Sequence, residues 1–158
     1  MGHSGLMQPI RPDDGPAEEN LRRVRAGTER IGRSMVQAAA PGWIRLDLQA
    51  RVTVEHDEMT VHAVRPDGAI PSFPATPEVR NAVLELRRMM YAPDIGAWLS
   101  LRLTVDPPMQ LQLNVNYNDD PLWSTPVPGS AYRRDVQAFP RPADLISGWL
   151  RGRLDDPA

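Results

Sequence analysis

The first regular pattern in the chain is a stripe of apolar residues that begins after Ala17. Its members recur every three or four residues, which is the spacing of one face of an amphipathic helix. The Pro41-Gly42 pair ends this helix. Residues 1–16 lack any period and contain several glycines and prolines, so we expect a loose N-terminal tail there. The stripe consists of Leu21, Val24, Ile31 and Met35, with Thr28 between them at the same spacing.

A period of two then replaces the helical period. Apolar and polar residues alternate from Ile44 to Glu55, as a strand with one solvated face requires. The polar residues 56–58 form a turn and the alternation resumes over residues 59–63, so these two strands should pair as an antiparallel hairpin. A short extended segment at residues 69–73 follows a second turn and is a candidate edge strand.

The second half of the chain repeats the two kinds of pattern. Thr76-Pro77-Glu78 begins a helix, because it combines a hydroxyl cap, a proline at the first helical position and an acid at the positive end of the helix dipole. Residues 97–105 and 109–117 alternate as two further strands. Residues 118–142 are rich in Pro, Asp, Ser and Gly and predict an irregular surface loop, and residues 143–154 predict a final helix.

This order of elements predicts an α+β fold. We expect an antiparallel sheet of four to five strands with helices packed on one face, in the order α-β-β-(β)-α-β-β-α. The single domain covers residues 17–154, between the tail at 1–16 and a short tail at 155–158. The chain has 158 residues, of which 41% are hydrophobic, and this suffices for one core.

The charge, hydropathy and cysteine content of the chain exclude several classes of binding partner. The formal net charge is -2 and the isoelectric point is about 5.9, whereas nucleic-acid binding normally requires a clustered basic excess. No apolar run approaches the roughly 18 residues of a membrane span, and the first residues do not resemble an export signal. The absence of cysteine removes disulfides and thiolate chemistry. We therefore expect a cytoplasmic protein with no nucleic-acid or membrane partner.

Groups suited to catalysis are scarce. The chain contains no Gly-rich phosphate loop, no nucleophile elbow and no paired-histidine helix motif. His3, His56 and His62 occupy positions where solvated histidines are expected. The cluster at residues 55–58 could hold a divalent ion weakly, although adjacent residues in a turn diverge. We expect no catalytic, metal or cofactor site and no enzymatic activity.

Two rows of side chains on the last strand pair are candidates for a binding surface. The outward row of the fifth strand carries four amides in succession, which is either an interaction surface or simply a polar sheet face: Gln110, Gln112, Asn114 and Asn116. The outward row of the fourth strand begins with Trp98 and continues to Arg102. An aromatic residue near an arginine is typical of interface anchors, although a loop or the tail could instead cover Trp98.

The segment after the fifth strand is a third candidate. Asp119 and Asp120 could pair with basic residues of a partner's active site, and Trp123 could fill a neighbouring pocket. The alternative is that the acids organise a turn before Pro121 while Trp123 packs on the core.

Three segments occur in this order along the chain: APGW at 40–43, NVNYNDDP at 114–121 and YRRDVQAFPR at 132–141. A helix carrying Trp149-Leu150 follows near the end of the chain. In this order they resemble the YezG-like (DUF600-type) immunity or antitoxin family of bacterial polymorphic toxins, especially its actinobacterial branch. The resemblance covers roughly residues 20–154.

This resemblance implies a neutralising protein that binds one cognate toxin domain and seals its active site by steric occlusion. It brings no catalytic residue. It implies a secreted toxin as partner, with an NAD-degrading glycohydrolase as one candidate and a nuclease as another. The candidate contacts are Trp98, Arg102, Gln112, Asn114, Asn116, Asp119, Asp120 and Trp123. A secretion chaperone or adaptor that holds an export substrate without inhibiting it is the alternative, and a small-molecule enzyme is a third class.

Overall fold

A computed structural model describes residues 15–158 and shows the expected α+β fold. Residues 1–14, which make up most of the predicted N-terminal tail, lie outside the described residues. The helices are α1 (Gly15–Ala38), α2 (Pro77–Met90), α3 (Gly129–Ala138) and α4 (Gly148–Leu154), with a 3-10 turn at Ala143–Leu145. The strands are β1 (Arg45–Val52), β2 (Asp57–Val64), β3 (Ser72–Pro74), β4 (Ser100–Asp106) and β5 (Gln110–Asn116).

All five strands form one antiparallel sheet in the order β3-β2-β1-β4-β5. The registers align the aliphatic rows. Leu48 of β1 lies opposite Val61 of β2 on one side and opposite Leu103 of β4 on the other. Because side chains alternate along a strand, this alignment places one apolar face and one polar face across the whole sheet.

The apolar face of the sheet and the helices α1 and α2 enclose the core. Ile31 and Met35 from α1 and Val83 and Leu86 from α2 are fully buried against the strands. The first turn of α2 forms as its sequence predicts: the Thr76 hydroxyl accepts a hydrogen bond from the Val79 N–H at 3.3 Å. The polar face of the sheet points away from α1 and α2, and we call it the outer face.

The sequence predicts an irregular loop over residues 118–142, and this prediction is wrong for residues 129–138, which form α3. Tertiary contacts stabilise this helix of ten residues: Ala131 and Tyr132 are buried, and Asp135 forms a buried ion pair with Arg87 of α2. Its start also lies against the end of the chain, where the Arg133 guanidinium donates to the Asp156 carbonyl. A short helix with a weak apolar stripe and many neighbouring prolines leaves little local signal to detect.

Other boundaries differ by a few residues from those expected. Helix α1 begins at Gly15 instead of Ala17, β3 lies at residues 72–74 instead of 69–73, and β4 begins at Ser100 instead of residue 97. The predicted final helix from Ala143 is divided into the 3-10 turn and α4, which starts at Gly148. No helix in the described part of the chain has the length and hydropathy that a bilayer crossing requires.

Candidate functional site on the outer face of the sheet

The outer face carries polar side chains on every long strand. Charged groups on it are largely paired with each other across the strands. Arg102 of β4 donates two hydrogen bonds to Asp47 of β1, at 3.1 and 2.7 Å, and Arg51 of β1 is 3.1 Å from Glu58 of β2. The hydrogen bonds and charge of Asp47 raise the pKa of Arg102 further above its usual value. This pairing leaves the outer face polar but with little net charge.

One end of the outer face is a groove of about 580 Å³. Its floor consists of side chains from β1, β4 and β5, and its wall is the segment that follows β5. The side chains of the floor that point outward are Gln49, Arg51, Ser100, Arg102, Asn114 and Asn116, and the wall is formed by Tyr117, Asn118, Asp119 and Pro121. We call residues 117–124 the rim loop.

The rim loop is fixed at its start by Asn116. The Asn116 side-chain oxygen accepts hydrogen bonds from the backbone N–H groups of Asn118 and Asp119, and its amide nitrogen donates to the Asp119 carbonyl at 2.8 Å. Helix α4 holds the same turn, because the Trp149 indole N–H donates to the Asn118 carbonyl at 2.7 Å. An amide that caps a turn in this way is a structural residue of the loop.

The rest of the rim loop crosses the end of the sheet. Arg51 of β1 donates to the Pro121 carbonyl at 2.6 Å, and Glu58 of β2 accepts from the Ser124 N–H at 3.1 Å. The loop is therefore anchored to the sheet at three points along its length, by Asn116, Arg51 and Glu58. Anchoring of this kind fixes the loop conformation before any partner arrives.

Leu122 of the rim loop has a strained backbone conformation and an exposed side chain. Its φ is 55°, in the left-handed region that a leucine rarely adopts, and 73% of its surface is accessible to solvent. The Asp120 carboxylate accepts a hydrogen bond from the Leu122 N–H at 3.0 Å and so helps to hold this conformation. No sequence pattern singles out Leu122, because one leucine between a proline and a tryptophan has no periodic neighbours.

The structure brings most of the predicted contact residues together. Arg102 lies opposite Asn114 in the sheet register, and both belong to the groove floor, whereas Gln112 lies opposite Thr104 on the same face beside the groove. Asn116 lies at the groove floor but its side chain holds the rim loop, as described above. Asp119 is exposed in the wall, Asp120 supports Leu122, and Trp123 is partly buried with its indole N–H enclosed.

Trp98 was wrongly expected on the outward row. Its side chain is fully buried in the core cluster, and the Arg87 guanidinium lies 5.9 Å from the ring centroid. The error has a local cause: β4 begins only at Ser100, so the alternation of the strand does not extend back to Trp98. Trp98 is therefore removed from the candidate contacts.

The acidic cluster at residues 55–58 is dispersed by ion pairing. Glu55 pairs with Arg134, Asp57 with Arg80 and Glu58 with Arg51, so the three carboxylates point to three different arginines. Within residues 15–158 no three His, Cys, Asp or Glu side chains lie together as a metal site would require.

The segments 114–121 and 132–141 both contribute to the groove and to its support. The segment 114–121 supplies the last residues of β5 and the groove wall. In the segment 132–141, Asp135 pairs with Arg87, and Arg141 donates to the carbonyls of Tyr117 and Ala97 at 2.7 and 2.8 Å. Burial lowers the pKa of Arg141. No protein-family model and no curated protein sequence matches this chain.

Proposed function

We propose that this protein is an immunity protein, which binds one cognate secreted toxin domain in the cytoplasm of the producing cell and occludes its active site. The observation that carries the proposal is the groove on the outer face together with its anchored rim loop. The family resemblance of the sequence points to the same function. The proposal assigns no catalytic step to this chain.

The chemistry of the groove favours a protein partner over a small anionic ligand. Arg102 and Arg51 are the two guanidinium groups of the floor, and each is already paired with a carboxylate of the sheet. A phosphate or carboxylate ligand would have to compete with Asp47 and Glu58 for them. By contrast, Gln112 and Asn114 make no side-chain hydrogen bond within residues 15–158, so their donors and acceptors can pair with the backbone of a partner.

The lining of the groove also argues against an enzyme. Its lining contains one carboxylate, Asp119, and no histidine, glutamate or cysteine. The Ser100 hydroxyl accepts a hydrogen bond from Asn116 at 3.1 Å, and among the described residues no hydrogen bond joins it to the Asp119 carboxylate. A nucleophile needs a base within hydrogen-bond reach to be activated. Binding is therefore the activity that this arrangement supports.

Occlusion would use the rim loop as an anchor and the outer face as the surrounding contact. An exposed leucine on a fixed loop can enter an apolar pocket with little loss of backbone entropy, since the loop is ordered in advance. The polar face around it then excludes water from the rest of the contact. A specific complex of this type buries about 1,600 Å² in total. The resemblance suggests an NAD-degrading toxin as the partner.

The test is to co-express the protein with the product of the adjacent gene, and to purify the pair. We expect a one-to-one complex in which the toxic activity of that product, including NAD hydrolysis where it has one, is abolished. Failure to form a complex and to restore growth would refute the proposal. A complex that leaves the toxic activity intact would instead indicate a chaperone or adaptor.

A matched pair of variants tests whether the outer face makes the contact. Asn114→Arg places a bulky charge in the floor of the groove, whereas Asn81→Arg makes the same change on the exposed surface of α2. We expect Asn114→Arg to weaken the complex at least about tenfold, a loss of about 1.4 kcal/mol. Asn81→Arg should bind as the unmodified protein does. Equal affinities of the two variants would exclude this face as the interface.

A further inference from the structure

The two edges of the sheet differ in how they are protected. Strand β3 has only three residues, it ends at Pro74 and Pro71 precedes it. Short edge strands and prolines prevent further strand pairing, because they leave few free N–H groups. Strand β5, at the opposite edge, has seven residues and none of these devices.

The sequence of β5, Gln-Leu-Gln-Leu-Asn-Val-Asn, contains no charge, no proline and no glycine. It pairs with β4 on one side, in a continuous register from Gln110 to Asn116. Alternate residues of such a strand direct their N–H and C=O groups away from the neighbour. Within residues 15–158, no backbone hydrogen bond from another segment reaches the free side of Gln110–Val115. The edge therefore remains able to accept another strand.

We propose that β5 pairs with β5 of a second copy of this chain, across a two-fold axis at Leu113. In an antiparallel pair, residues that lie directly opposite each other point to the same face of the sheet. The two-fold axis of a self-pairing strand must therefore pass beside a residue and not between two residues. Centring it on Leu113 overlaps the full length of both strands. Gln112 then faces Asn114 on the outer side, and Leu111 faces Val115 on the helical side.

The strand is complementary to itself in this register. Each cross-strand pair joins an amide to an amide or an aliphatic residue to an aliphatic residue, and no like charges meet. Continuing the register beyond the strand brings Met109, which is 36% exposed, opposite Tyr117 of the other copy. The resulting sheet has ten strands, with both helical layers on the same side. A second copy of β5 can therefore pair with this edge and match its amide and aliphatic rows, so no other strand is needed to complement it.

The inference goes beyond the proposed function, and the two share Asn114, which lies in the groove floor and would also face Gln112 of the second copy. The groove opens on the outer face, whereas the pairing uses the backbone edge, so a dimer would present two grooves. A single pair of strands buries less surface than a typical stable interface, in which about 1,200 to 2,000 Å² of accessible surface is buried in total. The dimer should therefore form in a concentration-dependent manner.

Cysteine cross-linking tests the pairing directly, because the chain has no cysteine of its own. Residues directly opposite in an antiparallel pair have Cα atoms about 4.5 to 5.5 Å apart, within the range of a disulfide. We expect Leu113→Cys to form a covalent dimer on mild oxidation of the purified protein. Ser72→Cys, on the protected edge, is the control and should remain monomeric.

The register has its own test, which uses two residues outside the core. Gln112→Cys and Asn114→Cys should cross-link when the two proteins are mixed, and much less when either is oxidised alone. Sedimentation of the unmodified chain should show a monomer that converts to a dimer as concentration rises.

A monomer at every concentration, together with oxidation of Leu113→Cys no faster than that of Ser72→Cys, would overturn the proposal. So would an edge that becomes protected from hydrogen exchange only when the adjacent gene product is added, because the occupant would then be a strand of that product.

Discussion

The buried ion pair between Arg87 of α2 and Asp135 of α3 joins these two helices, and its contribution to stability can be measured. The Arg87 guanidinium donates to both Asp135 carboxylate oxygens at 2.8 Å, and a third hydrogen bond joins it to the Trp98 carbonyl at 2.7 Å. Only 3% of the Arg87 side chain and 6% of that of Asp135 are exposed. The carboxylate also accepts from the Val54 N–H at 2.9 Å. The pair thus connects α2, α3 and the β1–β2 hairpin.

Asp135→Asn removes the negative charge while it keeps the size of the side chain. The variant leaves a buried guanidinium with no counter-charge, and breaking a buried pair in this way costs about 3 to 5 kcal/mol. Single domains are stable by only about 5 to 15 kcal/mol, so this is a large fraction of the total. Urea unfolding at neutral pH, followed by tryptophan fluorescence, measures the loss.

Glu85→Gln is the matched control, because Glu85 pairs with Arg30 at the surface and both side chains are about half exposed. Exposed pairs contribute up to about 1 kcal/mol. Adding Arg87→Met to Asp135→Asn should recover part of the stability, since the uncompensated charge is removed, and the double-mutant cycle should give a coupling of about 2 kcal/mol. The reasoning would be refuted if Asp135→Asn and Glu85→Gln lost similar amounts of stability.

Three further predictions concern the loops and the ends of the fold. Gly129→Ala should lose about 1 to 3 kcal/mol, because its Cβ would lie 2.6 Å from the Arg153 carbonyl oxygen, whereas Gly152→Ala meets no atom within 4 Å and should gain up to about 1 kcal/mol; thermal unfolding compares the two. Hydrogen bonding to Arg45 lowers the pKa of Asp106, so this pair stabilises the fold above the unfolded pKa of about 4 and the contribution is lost as pH falls through the lowered value. Urea unfolding of Asp106→Asn should therefore converge with that of the unmodified protein in acid, and a constant difference at all pH values would contradict this assignment. Leu122→Asn should stabilise the free protein by up to about 1 kcal/mol, because asparagine tolerates a positive φ, and should weaken the toxin complex; unchanged toxin affinity in a binding titration would remove Leu122 from the interface.

The sequence by itself determined the sheet and the two helices that cover it. Polar and apolar residues alternate from Arg45 to Val52, which predicts a strand with one buried and one solvated face. The hydroxyl, proline and acid at residues 76–78 specify a helix start. The amide row of β5 was also evident, because its residues alternate with a row of partly buried aliphatic residues along the same strand.

Only the tertiary structure decided which residues form the groove. Helix α3 depends on a partner 48 residues away, since Asp135 is satisfied by Arg87, and no local pattern reports such a pair. Trp98 is buried because β4 starts at Ser100, three residues later than the alternation from residue 97 suggests. The conformation of Leu122 follows from anchors on β1, β2 and β5 that lie far apart in the chain. Local patterns record which face a residue prefers, whereas loop shape and strand boundaries depend on contacts between distant segments.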